Sequence, residues 1–210
     1  MKILLFSDIH GDRRALESLM QMEADHYICA GDLSNFGRKL DELGEVMKSR
    51  GDRVHVIPGN HETEQQIEAL CEKFGLRAFH GQTFPIANFH VAGLGYSNIT
   101  PFETPGEYTE ERIAERLSAF NGLKPLMAVV HCPPFRTALD RIMNFRHGGS
   151  TAVREFIDRE QPEYFFCGHI HEAAGSAERL GETKAMNVGK KGFLLDLNPD
   201  LIKIQFPNLK

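Results

Sequence analysis

Short polar motifs rich in histidine, aspartate and asparagine interrupt the sequence, and each follows a short apolar run that is typical of a β-strand. The residue types in these motifs are ones that bind divalent metal ions. In chain order they are Asp8, His10, Asp32, Asn60, His61, His131, His169 and His171. Because ligands bind beyond the carboxyl ends of the strands in an open α/β sheet, we expect these side chains to converge on one edge.

The donor atoms of this set suit a pair of divalent ions. The set contains imidazoles, carboxylates and one amide oxygen, and it needs no thiolate, which disfavours a structural zinc site built from cysteines. An aspartate can bridge two cations because each of its oxygens can bind one. Two cations about 4 Å apart can bind a phosphoryl oxygen together and lower the pKa of a shared water, which makes a nucleophile at neutral pH.

The elements that must position these side chains are predicted by the pattern of apolar residues. The runs that predict strands are 2–6, 27–30, 54–57, 126–130 and 164–167. The amphipathic segments that predict helices include 62–74, 109–121 and 151–159. Strand, polar turn and helix in repeated order indicate a parallel βαβ arrangement in the first half of an α/β protein.

The last forty residues have a different pattern, with short strands around glycine turns. Strands are predicted at 183–188, 192–197 and 201–206, and together they indicate a C-terminal antiparallel meander in a second sheet. Because no linker, repeat or low-complexity tract divides the chain, we expect a single domain over residues 1–210.

The composition is typical of a globular protein and disfavours some classes of partner. It has 210 residues, a formal net charge of -5 and 41% hydrophobic residues. The mild acidity disfavours a nucleic-acid partner, and no apolar run approaches the roughly 18 residues of a membrane span. The four cysteines form no C-x-x-C pair, and the N-terminal apolar run is too short for a signal peptide. We therefore expect a cytoplasmic protein with free thiols.

Taken in order, the polar motifs resemble those of the calcineurin-like metallophosphoesterase superfamily. The matching segments are Asp8-Ile9-His10, Gly31-Asp32, Gly59-Asn60-His61-Glu62, His131 and Gly168-His169-Ile170-His171. Each motif alone is common, but the ordered set is specific because each motif also follows its apolar run. With His147-Gly148-Gly149-Ser150, the chain looks most similar to the small, uncapped, Icc-related predicted phosphoesterases. The resemblance implies a two-sheet β-sandwich flanked by helices, in α/β/β/α order.

The resemblance also implies a role for each motif residue. The first metal ion would have the ligands Asp8, His10, Asp32 and His171. The second would have the ligands Asp32, Asn60, His131 and His169. His61 would protonate the leaving oxygen or stabilise charge on the phosphate, a task that suits an imidazole. Manganese is the expected metal, with iron, zinc, nickel or cobalt as alternatives.

Asn35 departs from the pattern of the phosphoprotein phosphatases. Those enzymes carry an aspartate three residues after the Gly-Asp motif, where it orients the catalytic histidine. An amide can bond an imidazole but cannot stabilise an imidazolium by charge. On this interpretation acid catalysis by His61 is weakened, and Asn35 and His147 are the candidates for binding the substrate.

Several other polar residues are predicted to have structural roles. Asp12 and Glu62 are expected to begin helices, where negative charge is favourable. Asn187 is expected to lie in a turn, with support of the site as the alternative. Ordinary strand or turn positions are assigned to His26, His55, His80 and His90.

The favoured function is a phosphoesterase that hydrolyses a phosphodiester or phosphomonoester, nucleotide-like compounds included, with water between two metal ions as the nucleophile. The alternatives are a nuclease and a metal-binding interaction scaffold with weak or no turnover. The expected partner is a small phosphoester substrate, and we expect no association with a membrane. The sequence does not define the oligomeric state.

Overall fold

The computed structural model describes residues 1–143 and 146–198, and its strands form two main sheets. In spatial order the first sheet contains β15 (Phe193–Asp196), β1 (Lys2–Phe6), β2 (His26–Cys29), β3 (Val54–Val56) and β4 (Arg77–Ala78). The second contains β13 (Ala177–Leu180), β14 (Thr183–Asn187), β12 (Tyr164–Cys167), β9 (Leu126–Val130), β6 (Phe89–Leu94) and β5 (Gln82–Ile86). Strands β1 to β4 are parallel, as are β6, β9, β12 and β14.

Two short strand pairs lie in the loops at the carboxyl ends of the second sheet. The first pairs β7 (Ser97–Asn98) with β8 (Glu107–Tyr108), and the second pairs β10 (Arg141–Ile142) with β11 (Arg146–His147).

Within the described ranges, five α-helices cover the outer faces of the two sheets. They are α1 (Arg13–Gln21), α2 (Leu40–Met47), α3 (Glu64–Phe74), α4 (Glu110–Leu117) and α5 (Thr151–Glu160). The first three pack on the first sheet, and the last two pack on the second. Asp12 caps α1 by accepting from the Ala15 backbone N–H at 3.0 Å, which confirms the expectation for Asp12. Among the described residues, no helix has the length and apolar character needed to cross a bilayer.

The central strands are apolar on both faces because each face is covered by a different layer. In β1, Ile3 and Leu5 point between the two sheets, whereas Leu4 and Phe6 pack against the helices. Met127 of β9 also belongs to the layer between the sheets. The α/β/β/α arrangement is therefore confirmed.

The C-terminal strands differ from the predicted single meander. The strands β13 and β14 form an antiparallel hairpin, but β14 then pairs in parallel with β12, and β15 pairs antiparallel with β1 of the other sheet. A turn with left-handed φ angles at Gly189 and Gly192 leads the chain from the second sheet to the first. Without β15, β1 would be the edge of its sheet with unpaired backbone groups, and a strand pattern does not specify which edge a strand will pair with. The strand predicted at 201–206 lies outside the described residues.

Met127→Ala should lower the free energy of unfolding by about 2–5 kcal/mol, because it leaves a cavity between the sheets. Met143→Ala is the matched control, since Met127 is 0% exposed and Met143 is 73% exposed. Urea denaturation of both variants measures the difference. Equal losses of stability in the two variants would contradict the assigned core.

Candidate active site

The predicted motif side chains meet at one rim, beyond the carboxyl ends of strands from both sheets. Asp8 follows β1, Asp32 follows β2 and Asn60 follows β3, whereas His131 follows β9 and His169 follows β12. Their donor atoms form three clusters in which all atoms lie within 4.8 Å of one another. The clusters are Asp8, His10 and His171; His10, Asp32 and His61; and Asp32, His131 and His169.

Asp32 lies at the centre of this arrangement. Its Oδ2 atom is 3.5 Å from His10 Nε2 and 3.4 Å from His131 Nε2. Its Oδ1 atom accepts from the His61 backbone N–H at 3.0 Å. Candidate metal-ligating atoms therefore lie on both sides of this one carboxylate, which is the geometry that a ligand bridging two metal ions requires.

The candidate metal ligands differ on the two sides of Asp32. On one side, His10 Nε2 is 2.9 Å from His171 Nε2, which in turn is 3.6 Å from Asp8 Oδ1. On the other side, Asn60 Oδ1 is 3.0 Å from His131 Nε2 and 2.9 Å from His169 Nδ1. The arrangement thus brings together the two ligand sets that the sequence predicts.

The outer nitrogens of two imidazoles determine which atoms face the centre. His131 Nδ1 lies 2.7 Å from the Ala30 carbonyl, and His10 Nδ1 lies 2.9 Å from Asn35 Oδ1. Each Nδ1–H donates to its oxygen, so in the neutral ring each Nε2 presents a lone pair to the cluster. The Nε2 of neutral His131 then faces the carbonyl oxygen of Asn60, and two acceptors at 3.0 Å repel unless a proton or a metal ion lies between them. This pattern of outward-donating imidazoles fits a divalent metal site.

The backbone at the rim is strained at several of the predicted ligand residues. Asp8, His10, Asp32 and His169 adopt left-handed φ angles of 57°, 49°, 55° and 68°. Such conformations cost of order 1–3 kcal/mol each and cluster at functional sites. The strain therefore coincides with four of the predicted ligand residues.

Glycines in the motifs make room for these side chains. A Cβ atom on Gly59 would lie 1.9 Å from Asp32 Oδ1, and one on Gly168 would lie 2.6 Å from Asp8 Oδ2. A Cβ on Gly31 would lie 2.6 Å from His131 Nδ1. Only glycine fits these positions, which explains why the motifs begin with it.

Opposite charges at the centre shift the pKa values of the buried groups. Burial alone would raise the pKa of Asp32, but the His131 and His10 imidazoles outweigh it and hold that pKa well below its usual range. Burial would lower the pKa of His131, but the Asp32 carboxylate outweighs burial and raises it to about 9. The position between these two side chains thus attracts positive charge, for which protons and metal ions compete.

His61 has a different environment from the one expected. Its ring lies between His10 and Phe36, with centroid distances of 4.9 and 4.7 Å, and both contacts are edge-to-face. Its Nδ1 atom is buried and has no hydrogen-bond partner among the described residues. The expectation that Asn35 contacts this ring is wrong: Asn35 binds His10, since its Nδ2 donates to the His10 carbonyl and its Oδ1 accepts from the ring. Asn35 also does not line the cavity beside the site.

Glu62 does not begin a helix, and its expected role is corrected. Thr63 caps α3 instead, and the Glu62 carboxylate is fully buried. It accepts from the backbone N–H of Gly59 at 2.9 Å, and from the backbone N–H and hydroxyl of Ser34 at 2.7 and 2.8 Å. Burial and the nearby Asp32 charge raise its pKa to about 7. Glu62 thus ties the loop that carries Asp32 to the loop that carries Asn60.

A cavity of about 630 Å³ opens beside the rim, and His147 lines it. His147 Nδ1 lies 2.7 Å from the buried Asp140 carboxylate, which also accepts from the backbone of Arg136, Thr137 and Gly149. This placement in the cavity agrees with the candidate role of His147 in binding the substrate.

The sequence predicts a turn position for Asn187, but in the structure this residue supports the site. It is the last residue of β14, it is buried, and its Nδ2 donates to the carbonyls of Gly168, Ile170 and Leu139 at 3.0 to 3.2 Å. It therefore holds the segment that carries His169. A single asparagine near a predicted strand end gives no signal of these distant partners.

The histidines with predicted structural roles lie away from the rim clusters. The ring of His55 stacks on Phe84 at 4.0 Å, and burial lowers its pKa to about 3. His80 Nδ1 accepts from the Gly95 backbone, and burial lowers its pKa to about 4. Neither ring belongs to the donor clusters found among the described residues.

Comparison with known proteins agrees with this fold and site. The family model described as calcineurin-like phosphoesterase matches residues 1–173. The uncharacterized protein MJ1162 of Methanocaldococcus jannaschii is 33% identical over 206 residues, which cover 93% of this chain and 91% of that protein. The chain therefore belongs to the calcineurin-like phosphoesterase family, and it is a hydrolase that acts on phosphoester bonds.

Two solved structures illustrate the likeness of the fold. TT1561 of Thermus thermophilus has a TM-score of 0.73 and 19% identity, covering 93% of this chain and 94% of that one. A dimetal phosphatase of Danio rerio has a TM-score of 0.56 and 11% identity, covering 88% and 86%. Both similarities extend over most of each chain.

Glu62→Gln should lower the free energy of unfolding by about 1–3 kcal/mol, because the amide NH₂ cannot accept from Gly59 or Ser34 and leaves buried donors unpaired. The matched control is Glu68→Gln, at an exposed position of α3. Chemical denaturation compares the two. A Glu62 variant as stable as the control would show that the two loops do not depend on this carboxylate.

Proposed function

We propose that the protein is a phosphoesterase with two divalent metal ions, manganese being the expected one. One ion would have the ligands Asp8, His10, Asp32 and His171. The other would have the ligands Asp32, Asn60, His131 and His169. The observation that carries the proposal is the position of Asp32, whose Oδ2 atom lies about equally far from an imidazole of each set.

When bound, two divalent ions would polarise the phosphoryl oxygens and lower the pKa of water. The chain's own groups prepare the site for them. Ala30 and Asn35 accept the outer protons of His131 and His10, which fixes the ring orientation and directs each Nε2 toward the centre, where a metal ion would take the place of a proton. The Asp32 carboxylate, held by the His61 backbone N–H, keeps a fixed orientation between the two sets.

His61 is proposed to donate a proton to the leaving oxygen. Its ring lines the cavity beside the rim, where a substrate's leaving group would lie. Packing against His10 and Phe36, rather than a carboxylate, positions the ring. Without a carboxylate to stabilise the imidazolium, we expect the enzyme to favour esters with good leaving groups.

The substrate is proposed to be a small phosphoester. The net charge of -5 argues against a nucleic acid, whose phosphates select a basic surface. A cytoplasmic location is proposed as well, because all four cysteines are buried and none is paired.

Manganese-loaded protein should hydrolyse bis(p-nitrophenyl) phosphate, and a chelator should abolish this activity. Asp32→Asn should lower kcat/KM at least about 100-fold, because it removes charge from both ligand sets. Asp158→Asn, at an exposed position of α5, is the matched control and should retain activity.

Two results would overturn the proposal. Manganese-loaded protein that hydrolyses no phosphoester would support an interaction scaffold instead. Cleavage of single-stranded DNA at rates comparable with small diesters would support a nuclease.

Asn35→Ala should weaken manganese binding about 10–100-fold, because the His10 ring loses the acceptor that fixes its orientation. The control is Asn121→Ala, which truncates an exposed asparagine whose Oδ1 accepts from Arg159 at 3.0 Å. Isothermal titration with Mn²⁺ measures both affinities. Unchanged binding in Asn35→Ala would contradict the proposal that Asn35 orients His10 as a metal ligand.

A further inference from the structure

The cavity beside the rim has two walls of different character. The candidate ligands Asp32, Asn60, His169 and His171 form one wall, together with His61. The rest of the lining, here called the apolar wall, comes from the loop after β7, from β10 and from the segment after β12, and its large apolar residues are Ile99, Pro101, Phe102, Ile142 and Ile170. The apolar wall and the polar centre therefore line the same cavity.

Two residues of this wall are unusually exposed for their type. Ile99 is 64% exposed and Phe102 is 75% exposed. Neither side chain contributes to the three cores of the described residues. Large apolar side chains that are held in water next to a polar site are typical of a ligand-binding surface.

The loop that carries them is held in place and is linked to the metal site. The Glu107 carboxylate accepts from the hydroxyl of Thr100 at 2.5 Å and from the hydroxyl and backbone N–H of Thr104 at 2.6 and 3.0 Å. Thr104 Oγ1 in turn accepts from Asn60 Nδ2 at 3.1 Å. The candidate ligand Asn60 and the apolar wall are thus fixed relative to each other.

Charge restricts what can occupy this cavity. Among the described residues that line it there is no lysine or arginine, and its charged members Asp32 and Glu172 are acidic. A second phosphate or a carboxylate on the ligand would therefore meet no lysine or arginine among these lining residues. Lys190 lines a separate cavity of about 250 Å³ beyond His171, and its Nζ lies 3.4 Å from Asp12 Oδ2.

We propose that this cavity binds the leaving group of the substrate, and that the substrate is a phosphodiester monoanion whose leaving alcohol is uncharged and apolar or aromatic. The inference rests on the proposed function, because the proposed proton donor His61 marks the side of the phosphorus on which the leaving oxygen lies. Water adds to phosphorus and the P–O bond to the alcohol breaks. The leaving oxygen takes a proton from His61, which regains one from the water consumed. The products are a phosphomonoester and the free alcohol.

Phosphinates test the cavity without any turnover, because their two P–C bonds cannot be hydrolysed. Manganese-loaded protein should bind methyl(phenyl)phosphinate about tenfold more tightly than dimethylphosphinate, since the ring leaves water for the apolar wall. Phe102→Ala should remove most of this preference and leave the affinity for dimethylphosphinate unchanged. The matched control is Met22→Ala, which truncates another exposed apolar residue, 38% exposed, outside this cavity. Titration calorimetry measures the affinities of each protein for both compounds.

A charged ring gives the second arm of the experiment. Methyl(4-carboxyphenyl)phosphinate should bind more weakly than methyl(phenyl)phosphinate, because Glu172 and Asp32 repel the added carboxylate.

The inference is overturned by equal affinity for the phenyl and methyl compounds, by no measurable binding of either, by tighter binding of the carboxylated ring, or by a Phe102→Ala variant that weakens both compounds alike. Loss of hydrolysis toward every phosphoester would overturn the proposed function instead. Because the phosphinate affinities need no turnover, the two failures are distinguishable.

Discussion

The structure depends on holding groups of like polarity within hydrogen-bond distance of one another. His131 gives its Nδ1–H to the Ala30 carbonyl, so the Nε2 of the neutral ring is an acceptor that lies 3.0 Å from Asn60 Oδ1 and 3.4 Å from Asp32 Oδ2. Buried acceptors that face each other are unfavourable unless positive charge lies among them. Folding must therefore supply the free energy that brings these acceptors together. A cation bound among them recovers that free energy.

The surrounding fold provides that energy through groups that never reach the centre. The apolar layers on both faces of each sheet fix the strand ends from which the side chains extend. Buried polar residues then connect the loops: Glu62 joins the second and third strand ends, and Asn187 joins the end of β14 to the segment after β12. At the rim, Asp8, His10, Asp32 and His169 have left-handed φ angles, and Gly31, Gly59 and Gly168 leave room for the ligand side chains.

The sequence predicts the parts of this arrangement that local pattern controls. The positions of β1, β9 and β12 follow from apolar runs, and the convergence of Asp8 and Asp32 follows from the geometry of parallel strands in one sheet, whereas His131 comes from the other sheet. Partners that are distant in sequence are not predictable in this way. Asn35 is expected beside His61 but binds His10, and β15 pairs with β1 because an edge is available there. In both cases the choice between two plausible partners is made by tertiary packing, which leaves no local signal.

The central claim is that side chains from both sheets hold two cations on either side of Asp32. Anomalous diffraction at the manganese edge, from crystals of the full chain soaked in Mn²⁺, tests it most directly. We predict two peaks about 4 Å apart, with Asp32 between them. A rim with no peak, or a single peak that Asp32 does not contact, would contradict it.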